Sequence, residues 1–120
     1  MEQYQELFDS FITKYNKVET VPSDVGETLS RIAGLYPNYN MTMFKAERSF
    51  AIVHKNIAES TDDQTGKPIS SSKAEVLADA SQEAYDFKVA RGHVQNIEML
   101  TGVLKFLQRS LETEYLNSNV

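Results

Sequence analysis

The sequence predicts an all-α fold: four helices forming an antiparallel bundle, or a helical hairpin, built on one long C-terminal helix. Three observations predict it. Ile97, Leu100, Leu104, Leu107 and Leu111 alternate by three and four residues, which places all five on one side of a helix. Met43, Ala46, Phe50, Val53 and Ile57 repeat that spacing, so a third helix matches the leucine stripe as an antiparallel partner. From Ser72 to Leu116 no proline interrupts the chain, and Ser72-Lys73-Ala74-Glu75 reads as a capping box that starts the long helix.

The first helix is expected over residues 2–18. Tyr4, Leu7, Phe8, Phe11, Tyr15 and Val18 recur at helical spacing, and Glu2, Glu6 and Asp9 sit where the helix dipole favours negative charge. Thr20-Val21-Pro22 ends it, because the residue before a proline is pushed out of the helical region. Ser23 then serves as N-cap for a second helix over 24–34, with Asp24 and Glu27 in its first turn and Val25, Leu29 and Ile32 on its apolar side. Tyr36-Pro37-Asn38-Tyr39-Asn40 reads as a turn by composition. Its tyrosines, with Met41 and Phe44, either tuck onto the end of the bundle or form a tip for a partner. The third helix follows over 42–59, with Lys45, Arg48 and Lys55 on its solvated side as the candidate anion contact. Residues 60–71 form a polar loop, read as a mobile connection. Its Gly66-Lys67 lacks the glycine spacing of a P-loop.

The fourth helix, over 72–116, carries an internal conflict. Successive residues turn by about 100°, so the apolar side set by Val76, Leu77, Ala80, Ala84 and Phe87 stands roughly 140° from the leucine stripe. Supercoiling drifts only ~20° per heptad and does not explain it. Either the helix bends near Arg91-Gly92-His93, where glycine is the weakest helix former, or it stays straight and meets different partners along its length. Met99, Val103 and Phe106 make a second apolar stripe, with Gly102 beside it, while Glu98, Lys105, Arg109 and Glu112 take the solvated side. A helix apolar on two sides is central in its own bundle or shared with another chain.

Composition narrows the function classes. The 120 residues suit one domain spanning 1–120. With no cysteine, disulfides and thiolate metal sites are excluded. No apolar run approaches the ~18 residues of a membrane span, and Met1-Glu2-Gln3 opens no basic leader segment, so a cytoplasmic protein without membrane contact is expected. Twelve basic against seventeen acidic residues give a net charge of −5, which works against broad nucleic-acid binding.

Little in the chain suggests catalysis. Glu75, Asp79, Glu83 and Asp86 form a carboxylate ladder on the long helix. Glu83-x-x-Asp86 has the spacing that all-α nucleotide pyrophosphohydrolases of the MazG type use to hold Mg²⁺, since two carboxylates one turn apart can share a hard cation that also grips phosphate. The earlier Glu-x-x-Glu of those enzymes is matched only by Glu59-x-x-Asp62, with Asp at a ligand position. His54 and His93 lie in no ligand motif, and His54 reads as a boundary residue of its helix. No catalytic, cofactor-binding or metal-ligating set is therefore expected.

The stretch Ala74-Glu75, Ala78-x-Ala80-Ser81-x-Glu83-x-Tyr85, Lys88-x-Ala90-Arg91, Ile97-Glu98 and Leu104-Lys105 resembles small helical proteins encoded by bacteriophages. The resemblance covers about the C-terminal third. It implies a phage or prophage origin, a host-cytoplasm setting and no activity; an accessory factor for DNA metabolism and an inhibitor of a host protein both fit it. The sequence reading is thus a non-enzymatic module that binds a protein partner or itself, as a homodimer, through Tyr36, Tyr39, Met41, Phe44, Met99, Val103 or Phe106. The Mg²⁺ enzyme and the nucleic-acid accessory protein stand as alternatives. Phe50, Val53, Leu100, Leu104 and Leu107 are expected to be nearly fully buried.

Overall fold

The computed structural model describes residues 1–17 and 22–118. It is all-α with a long C-terminal helix, in the order α1 (Gln3–Lys17), α2 (Pro22–Ala33), α3 (Tyr36–Ala58), α4 (Ser71–Asp79) and α5 (Gln82–Ser118). Val18 and Thr20-Val21, expected at the end of the first helix, lie outside the described residues. Contacts group the chain into two compact units: residues 1–37 with 95–120, and residues 38–94. The helices α3 and α5 each contribute to both.

The first unit is built by α1, α2 and the C-terminal part of α5. Tyr4 and Phe11 of α1, Val25 and Ile32 of α2, and Ile97, Leu104 and Leu111 of α5 are buried. These are the positions that helical spacing selects, and their burial is the main stabilising term of the unit. Proline fits the first position of α2, where the missing N–H has no helical acceptor to lose. The helix therefore starts at Pro22, and Ser23 lies inside it rather than capping it. Gly26 marks a close approach: a Cβ there would stand 2.8 Å from Nε2 of Gln108 on α5. Lys14 and Asp24 join α1 to α2 at 3.9 Å, and Asn96 Nδ2 donates to Tyr4 Oη at 3.3 Å, tying α5 to α1.

The second unit holds most of α3, the 60–70 loop, α4 and the start of α5. The expected turn at Tyr36–Asn40 is instead the first turn of α3. Pro37 is tolerated there for the same reason as Pro22, and the break between the two helices falls earlier, where Gly34 N–H donates to Ser30 O and Leu35 N–H to Ile32 O. Ring contacts between Tyr39 and His93 (5.6 Å) and between Phe50 and Phe87 (6.1 Å) set α3 antiparallel to the start of α5. No residue of α3 is fully buried, so Phe50 and Val53 are only half-covered, contrary to expectation.

The 60–70 loop, expected as a connection, is closed by its own hydrogen bonds. Ile69 N–H donates to Ser60 O, Asp62 N–H to Lys67 O and Gly66 N–H to Asp62 O, closing a short hairpin whose turn needs the positive φ of Gly66. Asp62 Oδ1 accepts from Gln64 N at 2.9 Å and from Lys73 Nζ at 3.0 Å. With Ile69 fixed by the hairpin, Ser70 is extended and caps α4 by accepting from Lys73 N at 3.2 Å. The cap is thus Ser70, two residues before the expected Ser72, and it turns Ala74 and Ala78 inward.

The helix expected over 72–116 is interrupted at Ala80-Ser81, not near Gly92. Ser81 Oγ donates to Ala78 O at 2.6 Å and accepts from Ala84 N at 3.2 Å, so one hydroxyl closes α4 and caps α5. The break settles only part of the conflict of apolar faces: Val76 and Leu77 belong to α4 and are exposed, but Ala84 and Phe87 stay on α5. Since α5 runs unbroken through Gly92, it meets different partners along its length, with Ala84 and Phe87 in the second unit and Ile97, Leu104 and Leu111 in the first. The break also divides the carboxylate ladder: Glu75 and Asp79 lie on α4, Glu83 and Asp86 on α5.

Candidate functional site

Within the first unit, α5 has two unlike sides. Ile97, Leu104 and Leu111 are buried, while Leu100 and Leu107, expected to be as deep, are half-covered. Met99, Val103 and Phe106 lie on the opposite side and are 59%, 48% and 73% exposed. All three apolar side chains of the second stripe therefore face water. Single exposed apolar residues are ordinary; three in adjacent turns on one helix side form a contiguous patch.

The surroundings of the stripe give it relief. Along one edge, Tyr4, Gln5, Phe8 and Asp9 of α1 and Asn96, Met99 and Leu100 of α5 line a hollow of about 260 Å³. Along the other edge stand Glu98 and Lys105, both exposed and two turns apart. Tyr36 Oη donates to Glu98 Oε1 at 3.4 Å. Between this charged edge and the stripe lies Gly102, exposed, with nothing within 4 Å of the position its Cβ would take. Glycine inside a helix is about 1 kcal/mol less favourable than alanine, and no described neighbour of Gly102 requires the absence of a side chain.

The remaining candidates are placed as follows. Tyr36 is half-buried in the first unit and Tyr39 half-buried in the second, against His93; Met41 and Phe44 are exposed on α3. The structure therefore keeps the methionine and phenylalanine of the expected tip as surface and folds its tyrosines partly inward. Lys45, Arg48 and Lys55 are exposed on α3. His54 is exposed and stacks on Phe50 at 6.2 Å. Asp86 Oδ1 accepts from Gln82 Nε2 at 2.8 Å, and Asp62, the stand-in for the missing pyrophosphohydrolase ligand, is held by Gln64 and Lys73. Those two donors, the Gln64 N–H first, hold the Asp62 carboxyl below its ordinary value of 3.8. Among the described residues no group of three or more His, Asp or Glu is placed to hold a metal ion, and no helix is long and apolar enough to cross a membrane.

Sequence reasoning found the stripe but missed its hollow. Asn96 lies three residues before Met99 and continues the stripe's spacing, which was the available signal. The opposing wall comes from α1, far away in sequence. No known protein family, curated protein or solved structure matches this chain.

Proposed function

We propose that this chain is a non-enzymatic, self-associating helical module whose working form is a homodimer joined through the outward side of α5. The observation that carries the reading is the exposure of Met99, Val103 and Phe106 on the side opposite the buried Ile97 and Leu104. Covering apolar surface is favourable by about 25 cal/mol per Å², and a second identical copy is the commonest cover among soluble oligomers. The resemblance to phage-encoded helical proteins adds a setting, in which the dimer acts on a host or phage protein, and adds no activity.

Light scattering over a range of concentrations tests the reading. Wild type should give twice the 13.6 kDa chain mass, and Phe106→Glu should return the mass to 13.6 kDa with helical content unchanged. A wild-type monomer at the highest concentration refutes it. A dimer that survives Phe106→Glu moves the contact to another surface.

A further inference from the structure

We infer that the two copies pair antiparallel through α5, with the two-fold axis passing beside Gly102 and Glu98 of each copy set against Lys105 of the other. The inference rests on the self-association reading above and adds to it the orientation, the register and the charged contacts.

Three features of α5 point the same way. The first is charge. Glu98 and Lys105 lie two turns apart on one edge of the stripe, both exposed. In a parallel, in-register pair each would face its own copy, glutamate to glutamate and lysine to lysine. In an antiparallel pair centred between them, each faces the opposite charge, twice over by symmetry. The second is Gly102, which lies between these two residues and has open space where a Cβ would be. Two helix backbones can come closest where neither carries a side chain, toward the short end of the 8–10 Å range of helix packing. The third is the hollow. Phe106 follows the axis by about one turn, so in the antiparallel register it reaches the partner's residues about one turn before the axis. Those are Asn96, Met99 and Leu100, which with Tyr4 and Phe8 line the hollow. The most exposed apolar side chain of the stripe thus meets the concavity beside it, and both copies do so identically. A parallel pair would set Phe106 against Phe106 and leave both hollows open.

The absence of cysteine makes a clean test possible. Gln95, Gly102 and Arg109 lie a heptad apart along one line of α5, so each is changed singly to cysteine in the full chain and oxidised at micromolar protein. An antiparallel pair centred beside Gly102 brings Gly102→Cys within disulfide reach of its own copy. It sets Gln95→Cys and Arg109→Cys roughly 20 Å from theirs, at about 1.5 Å rise per residue. The expected result is a covalent dimer from Gly102→Cys, none from either other variant alone, and one from the two mixed. Covalent dimers from all three variants alone would mean a parallel pair and overturn the inference while leaving the self-association reading intact. In the cysteine-free chain, Glu98→Lys or Lys105→Glu alone should raise the dimer dissociation constant by about tenfold, and the double reversal should restore it to within about threefold. If the double reversal is as weak as the singles, the two residues do not face each other and the register is wrong. A wild-type chain that stays monomeric by light scattering removes the reading and this inference together.

Discussion

Leu104 is the sharpest test of how the first unit is held together. Its side chain is 0% exposed and lies between Ile97 and Leu111 on the buried side of α5, so Leu104→Ala removes apolar atoms from a site with no access to water. A buried leucine cut to alanine is about 2–5 kcal/mol destabilising, from lost transfer energy plus the cavity left behind. Against a total of about 5–15 kcal/mol for a domain, that is a large fraction. For a chain of this size each kcal/mol moves the melting temperature by several degrees, so the midpoint should fall by about 10–20 °C. The assay is a thermal melt followed by circular dichroism, with a urea titration to check that the m-value is unchanged. Phe106→Ala is the internal control. At protein concentrations low enough to leave the chain monomeric it should stay within about 0.5 kcal/mol of wild type, because Phe106 faces water. A Leu104→Ala midpoint within about 2 °C of wild type, or a Phe106→Ala loss as large as that of Leu104→Ala, would show that the inward and outward sides of α5 are wrongly assigned.

Three further outcomes follow from the second unit. Ser81→Ala removes the hydroxyl that ends α4 and caps α5 and should lower stability by about 1–2 kcal/mol, with Ser81→Asp recovering part of it as an acceptor for Ala84 N–H; urea midpoints within a few tenths of a kcal/mol of wild type would deny the hydroxyl that role. Asp62 has a folded pKa lowered by the Gln64 N–H and then by Lys73, so its contribution is present above its unfolded value and is lost as pH falls through the lower folded value. The stability gap between wild type and Asp62→Asn should therefore be constant near neutrality and close below about pH 3.8; a gap unchanged from pH 6 down to about pH 2.5 would contradict this. Glu83→Gln combined with Asp86→Asn should leave the light-scattering mass unaltered, and millimolar Mg²⁺ should not shift the wild-type melt. A Mg²⁺-dependent rise that the double variant abolishes would favour the pyrophosphohydrolase alternative.

Helical spacing predicted direction well and depth poorly. It grouped Ile97, Leu104 and Leu111 on one side and Met99, Val103 and Phe106 on another, since 3.6 residues per turn fixes which positions share a side, but it left open whether the second group is buried or exposed; the structure exposes it. It could not rank Phe50, Val53, Leu100 and Leu107 below Leu104, because depth depends on how many elements close over a residue. Pro22 and Pro37 were read as breakers, although in a first helical turn a proline is well suited to start one, and so both α2 and α3 begin earlier than expected. The interruption at Ala80-Ser81 was hidden by good helix formers on both sides; only a serine able to serve two helix ends marks it. The apolar stripe of the candidate site was legible because all of it lies on one helix. The hollow beside it was not, because Tyr4 and Phe8 reach it from the other end of the chain.

The way the two units divide the chain sets the order in which they can be completed during synthesis. The second unit is one continuous segment, 38–94, so all its ties, from Lys73 with Asp62 to Tyr39 with His93, lie within that segment. Everything it needs has been made once Val94 is added. The first unit draws on 1–37 and 95–120, and its bond between Asn96 and Tyr4 joins positions 92 apart. Until the last stretch emerges, the buried faces of α1 and α2 have no Ile97, Leu104 or Leu111 to close on. Closing a long loop is slow compared with local pairing, so on the ribosome α1 and α2 have only each other to cover Tyr4, Phe11, Val25 and Ile32 until then. The helices α1 and α2 are made before α5 but completed only with it, and a nascent chain stopped before Ile97 would hold them in a state prone to aggregation.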